Sequence, residues 1–439
     1  MVKKNQKHRP IGVDFFAGAG GMTLGFEQAG FDVLAAIEID PIHCATHQFN
    51  FPFWSVLCQS IIDTTGEQIR NSSSIKNQEI DVVFGGPPCQ GFSLIGKRSL
   101  EDPRISLIFH FIRLVIELNP KYFVIENVPG MAIGEHKVII EKIISQFREN
   151  KYKIEEKYKI LNAAEYGVPQ NRERLFLLGC REDLTLPNYP EPSTKTAKKH
   201  SLASGWKLPD TPTVWDAIKD LPEVENYIEL EKQDWVRVDY GEPSDYGKQL
   251  RGLCSPDNDY SYQRQYDSTI LTSSLRTKHN LTSIERFAET QHGKVETKSR
   301  FYKLDPQGLC NTLRAGTASN RGAFTAPRPI HPNIPRCITV REAARLHSYP
   351  DWFRFHITKW HGFRQIGNSV PPLLAKAVAS KLIEVMGVSP SKPKVIQELG
   401  DENLLRMNMS VAAKRYGVSP QVIEPRIRKI AENEIEENE

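Results

Sequence analysis

Ile11-Gly-Val-Asp-Phe-Phe-Ala-Gly-Ala-Gly-Gly-Met-Thr-Leu-Gly-Phe26 decides the fold. A short apolar strand over residues 11–16 runs into a glycine loop and then a helix, the arrangement that opens a nucleotide-binding α/β sheet. The dinucleotide spacing G-x-G-x-x-G fails at its third glycine, where Thr23 stands. That departure weakens the case for a pyrophosphate and favours a ligand that needs close backbone approach rather than a row of N–H groups. The next predicted strand, Val33–Ile39, ends in Glu38-Ile-Asp40, and Glu38 follows Gly18 by twenty residues. A carboxylate there accepts hydrogen bonds from a ribose. A solvated surface acid is the alternative, which the apolar strand ahead of Glu38 argues against.

Further out, Asp81-Val-Val-Phe-Gly-Gly-Pro-Pro-Cys-Gln-Gly-Phe-Ser93 repeats the pattern of a buried strand ending in a stiff turn. Glycines open backbone angles closed to other residues, and the two prolines rigidify the chain after them. Cys89 is thereby carried at the carboxyl end of a strand, where open α/β sheets place their chemistry. Lone cysteines usually pack as small hydrophobes, but two prolines and three glycines within seven residues do not resemble core. Cys89 therefore reads as a nucleophile. Tyr122-Phe-Val-Ile-Glu-Asn-Val-Pro-Gly130 has the same form, with Glu126 at the strand end. Such a carboxylate is either a cap or an acid–base group, and desolvation there raises its pKa toward the range of a proton donor. Before the predicted strand Leu175–Gly179, Arg172 and Arg174 alternate with Glu173, so both arginines share one face of an extended segment. Surface salt bridging is their ordinary use. His43 and His47 stand at i, i+4 on a predicted helix after Pro41, with no third metal ligand in view. They read as ordinary helix residues. Pro103 starts a helix whose positions Ile108, Phe111, Ile112, Val115 and Ile116 recur as a core face, and Leu94–Asp102 before it is a candidate basic lid.

Composition bounds the rest. The 439 residues, 39% hydrophobic, are enough for a large core and two domains. No apolar run reaches the length of a transmembrane helix, and the basic start Met1–Pro10 lacks the apolar stretch of a signal peptide. The seven cysteines contain no C-x-x-C pair, which argues against a zinc site or disulfide framework and for a reducing cytosol. A net charge of +4 does not by itself announce a nucleic-acid partner.

Together these residues resemble the DNA cytosine-5 methyltransferase family, of the bacterial restriction-modification type. Asp14–Gly21 is similar to its cofactor loop, Gly86–Ser93 to its nucleophile loop, Glu126-Asn-Val to its cytosine-binding acid and Gln170-Asn-Arg-Glu-Arg174 to its paired arginines. Thr339–Asp351 and Gln365-Ile-Gly-Asn-Ser-Val-Pro-Pro372 resemble its last two motifs, so the likeness runs in family order from residue 11 to about 385. The resemblance implies a Rossmann-like α/β sheet, use of S-adenosylmethionine, and Cys89, Glu126, Arg172 and Arg174 as catalytic residues. It implies cofactor contacts from Asp14, Phe16, Gly18, Gly20, Gly21, Glu38, Pro88, Asn368, Ser369 and Val370, with no metal. In this scheme the Cys89 thiolate attacks C6 of a flipped cytosine, Glu126 supplies a proton at N3, and C5 becomes nucleophilic enough to take a methyl. Two positions depart from the family pattern. Ile39 replaces the frequent aromatic after the ribose acid, and Gln59-Ser60-Ile61 stands where Gly-Asp-Ile usually contacts adenine.

The implied domains are a catalytic part over 1–185, a smaller inserted target recognition domain over 186–332, a catalytic completion over 333–386, and an extension over 387–439. Pro187–His200 reads as a linker. Residues 181–260 hold 10 Lys/Arg against 16 Asp/Glu, and residues 261–335 hold 11 against 5. The basic half contains Asn311-Thr-Leu-Arg-Ala-Gly-Thr-Ala-Ser-Asn-Arg-Gly322, whose Thr312-Leu313 is similar to a pair common in family recognition domains. Arg314 and Arg321 have the reach for phosphates or guanine edges, although solvated arginines are nearly as good a reading. Ser93 and Arg98 complete the expected DNA contacts. In the tail, two helical patterns around Gly417-Val-Ser419 read as a helix-turn-helix or as a plain hairpin packed on the catalytic part. The expected partners are double-stranded DNA and a cognate restriction endonuclease acting on the same site. The chain is expected to be a monomer away from any membrane, in the bacterial cytosol and on the nucleoid when acting. Alternatives are a solitary DNA methylase, the tRNA-modifying branch of the family, and a DNA-binding regulator resting on the tail.

Overall fold

Two aromatic pairs, one on each face, cover the central sheet in the computed structural model, which describes residues 9–88, 106–132, 137–196, 208–316 and 328–423. The first half of the chain runs β1 (Ile11–Phe15), α1 (Gly21–Ala29), β2 (Asp32–Glu38), α2 (Pro41–Asn50), β3 (Ser55–Cys58), α3 (Gly66–Asn71), β4 (Val82–Gly85), α4 (Ser106–Leu118), β5 (Tyr122–Asn127), α5 (Lys137–Glu149), β6 (Tyr152–Ile154), β7 (Lys159–Asn162) and β8 (Glu173–Arg181). The sheet order is β3-β2-β1-β4-β5-β8-β6, with β7 also paired to β8. The first five strands are parallel, and β8 is antiparallel to β5, β6 and β7. β4 and β5 are buried throughout, which is why they read as unbroken apolar runs rather than alternating ones. On one face Phe84 stacks on Phe26 of α1 with ring centroids 3.6 Å apart. On the other, Phe15 meets Phe111 of α4 edge-on at 5.4 Å. Strand order reverses between β1 and β4, the switch point outside whose carboxyl ends open α/β sheets bind ligands. The expected Rossmann-like class is observed.

The second half adds α6 (Val214–Ile218), β9 (Val236–Arg237), α7 (Asp245–Leu250), β10 (Gln263–Gln265), β11 (Ile270–Leu271), α8 (Leu281–Glu289), α9 (Val340–Leu346), α10 (Lys359–Asn368), α11 (Pro372–Met386), β12 (Ile396–Glu398) and α12 (Met409–Tyr416). α11 lies along α1, so the chain's late motifs return to the cofactor loop. Within the expected recognition domain over 186–332, residues 209–271 pack partly into the core of the catalytic part. Val214, Ala217, Ile218, Tyr246 and Leu250 share the core of α1, α9 and α11, and only small clusters such as Val224, Leu230, Val236, Val238 and Leu271 belong to the segment itself. Short elements cannot bury a core of their own, so the segment is fastened by buried ion pairs. Arg264 pairs with Glu27 of α1 at 2.8 Å, and Arg345 pairs with Asp220 at 2.8 Å, all four side chains sealed from solvent.

One smaller expectation is corrected, and one of the two alternatives for the tail fits the packing. Ile116 is 36% exposed although Ile108, Phe111, Ile112 and Val115 are buried, because one step past Val115 turns it off the core face. α12 packs its buried Ala412 and Ala413 toward α2, and Tyr416 donates to Gln48 Oε1 at 2.8 Å, so this helix rests on the catalytic part rather than standing as a free DNA-reading module. The expected second helix of the tail lies beyond residue 423, outside the described residues, as do the candidate lid and the first residues of the Pro103 helix. Among the described residues no helix is long and apolar enough to cross a membrane.

Candidate active site

The carboxyl ends of β1 and β2 build one side of a cleft. After β1 the chain passes through positive φ at Phe16 (59°), Gly18 (57°) and Gly20 (103°), curling over the strand end. Glu38, at the end of β2, accepts from the Gly18 N–H at 2.8 Å and from the Ile39 and Asp40 N–H groups at 3.0 and 2.9 Å. The acid thus fixes the loop while one lone-pair direction on Oε2 stays available. A Cβ at Gly21 would lie 2.6 Å from the Tyr349 hydroxyl and 2.7 Å from the Val370 carbonyl, so glycine is what lets the late segment close on the loop. Val370 is buried, Ser369 half-buried and Asn368 exposed. Asp14, expected among the cofactor contacts, is 1% exposed beneath the loop and accepts from Thr23 Oγ1 at 2.6 Å. Burial pushes its carboxyl up to about 8, against the lowering effect of that hydrogen bond. His47 Nε2 lies 3.1 Å from the same hydroxyl, so Asp14, Thr23 and His47 brace the loop from below.

The ends of β4 and β5 build the other side. Glu126 closes β5 with 9% exposure, and a Cβ at Gly86 would sit 2.5 Å from its Oε2. Glycine at 86 therefore allows the carboxylate to stand against the turn through Pro87 and the half-buried Pro88 that leads to Cys89. Cys89 lies outside the described residues, with Ser93, Arg98 and Arg321. The neighbouring Asn127, which sequence reasoning left without a role, donates from Nδ2 to the Pro87 carbonyl at 3.2 Å and accepts from the Val128 N–H at 2.8 Å. Its signal was available: a buried amide beside the acid at a strand end must satisfy a backbone group nearby. Arg174 Nε meets Glu126 Oε1 at 2.8 Å. Burial raises the Glu126 carboxyl above its ordinary range, opposed by Arg174 and then Arg172. A buried, proton-retentive acid beside a fixed guanidinium suits proton donation to a ring nitrogen.

Arg172, expected at the base, also works as an internal clamp. It is fully buried and donates to the carbonyls of Leu313, Gly367 and Ser369, each at 2.7 Å. Two residues before β8's Arg174, its guanidinium holds backbone through both terminal nitrogens, while Nε is buried without a partner among the described residues. Leu313, expected at the DNA, has a side chain that is 2% exposed and packs in the core. Its N–H bonds Gln170 Oε1 at 3.1 Å, and Thr312 Oγ1 donates to the Asn171 carbonyl at 2.7 Å. The pair anchors the basic loop to the catalytic sheet. Arg314 next to it is exposed and borders a cleft of about 490 Å³ with Asn171, Tyr302, Leu309, Asn311 and Thr312.

Comparison with known proteins agrees with this geometry. The model of the C-5 cytosine-specific DNA methylase family matches residues 12–384. The type II methyltransferase M.XorII of Xanthomonas oryzae pv. oryzae is 54% identical over 422 residues, covering 96% of each chain. M.DdeI of Desulfomicrobium norvegicum is 32% identical, covering 84% of this chain and 88% of its own. A crystal structure of a prophage-encoded DNA modification methyltransferase (E. coli) is 34% identical with a TM-score of 0.68, over 86% of this chain and 99% of that one. The S. pombe Dnmt2 methyltransferase, 17% identical with a TM-score of 0.50 over 86% of this chain and 99% of that one, shares the fold. The chain belongs to the C-5 cytosine-specific DNA methylase family and is a DNA cytosine-5 methyltransferase of the type II restriction-modification kind.

Proposed function

We propose that the enzyme methylates C5 of a cytosine flipped out of double-stranded DNA at one short sequence, with S-adenosylmethionine as donor and Cys89 as nucleophile. One observation carries this reading: Glu126, buried and inclined to hold its proton, stands against the Gly86–Pro88 turn that precedes Cys89 in the chain. The other side of the cleft suits the donor. A Cβ at Gly18 would meet nothing within 4 Å, leaving a bare backbone cradle. Gln59 Nε2, beside the Glu38 strand end, is buried without a hydrogen-bond partner among the described residues. Phe16, Gly18, Gly20, Gly21 and Glu38 would hold the cofactor, with Gln59 toward the adenine and Asn368, Ser369, Val370 and Pro88 completing the wall. When bound, S-adenosylmethionine supplies a methyl on a sulfonium from which C5 can displace it.

The chain's own groups prepare C5. The Cys89 thiolate forms the Sγ–C6 bond, and the ring's C5–C6 π pair moves toward C5 as Glu126 delivers its proton to N3. Arg174 holds the Glu126 carboxylate in place once that proton has left. After methylation a base takes the C5 proton, the pair re-forms the C5–C6 double bond as Cys89 departs as thiolate, and the N3 proton returns to the Glu126 carboxylate. Extrusion of the base is required because C6 is unreachable within a stacked duplex. Arg314, Arg321, Arg98, Ser93 and Thr312 would face the DNA. A cognate endonuclease of the same specificity is the expected partner, and action as a monomer in the cytosol is the expected state. The 54% identity to a type II methyltransferase favours DNA over tRNA.

Bisulfite sequencing of DNA from a host lacking 5-methylcytosine, expressing either this chain or Cys89→Ser, tests the reading. Methylation at one short motif, absent with Cys89→Ser, is expected. Unmodified DNA in the presence of folded protein would sink it, and bisulfite sequencing of the host tRNA would then decide the RNA alternative.

A further inference from the structure

A closed ring of buried hydrogen bonds joins the anchor of the basic loop to the late segment of the cofactor side. Leu313 N–H donates to Gln170 Oε1 at 3.1 Å, which fixes the orientation of that amide. Gln170 Nε2 then faces His347 Nδ1 at 3.0 Å and the Leu346 carbonyl at 3.1 Å. An amide nitrogen only donates, so Nδ1 must be the acceptor and the His347 proton must sit on Nε2. From there it reaches the Ser369 carbonyl at 3.2 Å and Ser369 Oγ at 3.1 Å, the hydroxyl itself donating to the Ile366 carbonyl at 2.8 Å. Arg172 closes the ring, with one nitrogen on the Ser369 carbonyl and another on the Leu313 carbonyl, each at 2.7 Å. The His347 side chain is fully buried, although Ser369 at the end of the ring is half-buried.

We infer that His347 is a positioning residue, a neutral Nε2–H imidazole that ties the placement of Ser369 to that of Leu313 and thereby couples cofactor binding to DNA binding. The inference rests on the proposed roles of the two walls. Leu313 carries the loop toward DNA through Arg314, and Ser369 borders Gly21 of the cofactor loop. Since both ends of the ring are backbone groups, neither can shift without straining or breaking a bond of the other. Coupling of this kind is reciprocal: a ligand that fixes one end lowers the cost of ordering the other.

The test uses the full chain, a duplex containing the methylated motif, and S-adenosylhomocysteine as probe. The wild type is expected to bind the duplex at least about 5-fold more tightly with the probe present, the low end of usual coupling. His347→Asn can place its Oδ1 toward Gln170, but its shorter amide has no nitrogen at the Nε2 position facing Ser369, and its enhancement is expected to fall below about 2-fold. A merely structural defect would weaken duplex and probe binding separately and leave their ratio intact. Gln170→Met, which removes the link on the other side, serves if the first variant does not fold. Wild-type enhancement in either folded variant overturns the inference. So does a protonated Nδ1 in the 15N resonances of wild-type His347, a readout that needs no variant. A wild type that methylates but shows no enhancement defeats the coupling and leaves the proposed function standing. A wild type that neither methylates nor binds the probe defeats the function itself.

Discussion

The two walls of the cleft each place an acid at the carboxyl end of the same sheet, and they use it in opposite ways. Asp14 on β1 is sealed under the cofactor loop, where its neighbours are a hydroxyl and a neutral imidazole. Glu126 on β5 stands at the open edge against two arginines. Burial raises both carboxyls, but only at Glu126 do cations oppose it. A sealed acid with a single hydroxyl partner holds architecture. An edge acid balanced between burial and charge has a proton to exchange with a ligand.

The largest effect is expected at the edge. Glu126→Gln should lower kcat by about 10² to 10⁴, the usual worth of general acid–base help, without a matching loss in melting temperature. Asp14→Asn keeps an acceptor for Thr23 and should retain most activity at pH 7. Steady-state methylation rates on one duplex decide between them, and equal losses in the two variants would erase the contrast.

Next in size is the contrast between the paired arginines. Arg172→Met strands the buried carbonyls of Leu313 and Gly367 and takes one of two donors from that of Ser369, which keeps His347, and an unsatisfied buried group costs about 1–3 kcal/mol. Its unfolding free energy in urea should therefore drop by roughly 2 kcal/mol or more. Arg174→Met leaves a carboxyl that burial already inclines toward its neutral form, so it should cost less stability and more activity. The reverse pattern would return Arg172 to the chemistry and Arg174 to the scaffold.

That pair also shows what the sequence made legible. Strands β1, β2, β4 and β5 and the turns after them were visible because apolar runs and Gly/Pro turns are local features, and Glu38 and Glu126 at the ends of β2 and β5 came with them. Arg172's work was not visible, because its three acceptors lie 141, 195 and 197 residues away. The Thr312-Leu313 pair misled for the same reason: a motif reports that the residues matter, and only packing reveals that Leu313 faces inward. The seam between the catalytic part and the segment from 209 to 271 was hidden by ion pairs such as Arg264–Glu27, separated by 237 residues. His347 sits inside a motif that resemblance picked out, yet its tautomer is set only by the donors around it.

The smallest effect sharpens the sealed side by itself. Asp14 has a folded pKa of about 8 against an ordinary 3.8. A folded pKa above the unfolded one means that the native state binds the extra proton throughout the window between them. Stability from this group is then complete below the unfolded value and declines as pH rises, at up to about 1.4 kcal/mol per pH unit, until the folded value is passed. Asn at this position has no proton to lose. The difference in unfolding free energy between Asp14→Asn and the wild type should therefore grow in favour of the variant from pH 5 to pH 8 and level off above. Urea unfolding across that range measures it. Parallel curves would mean that Asp14 is ionised in the native state at pH 7, and that the loop it braces is held by charge after all.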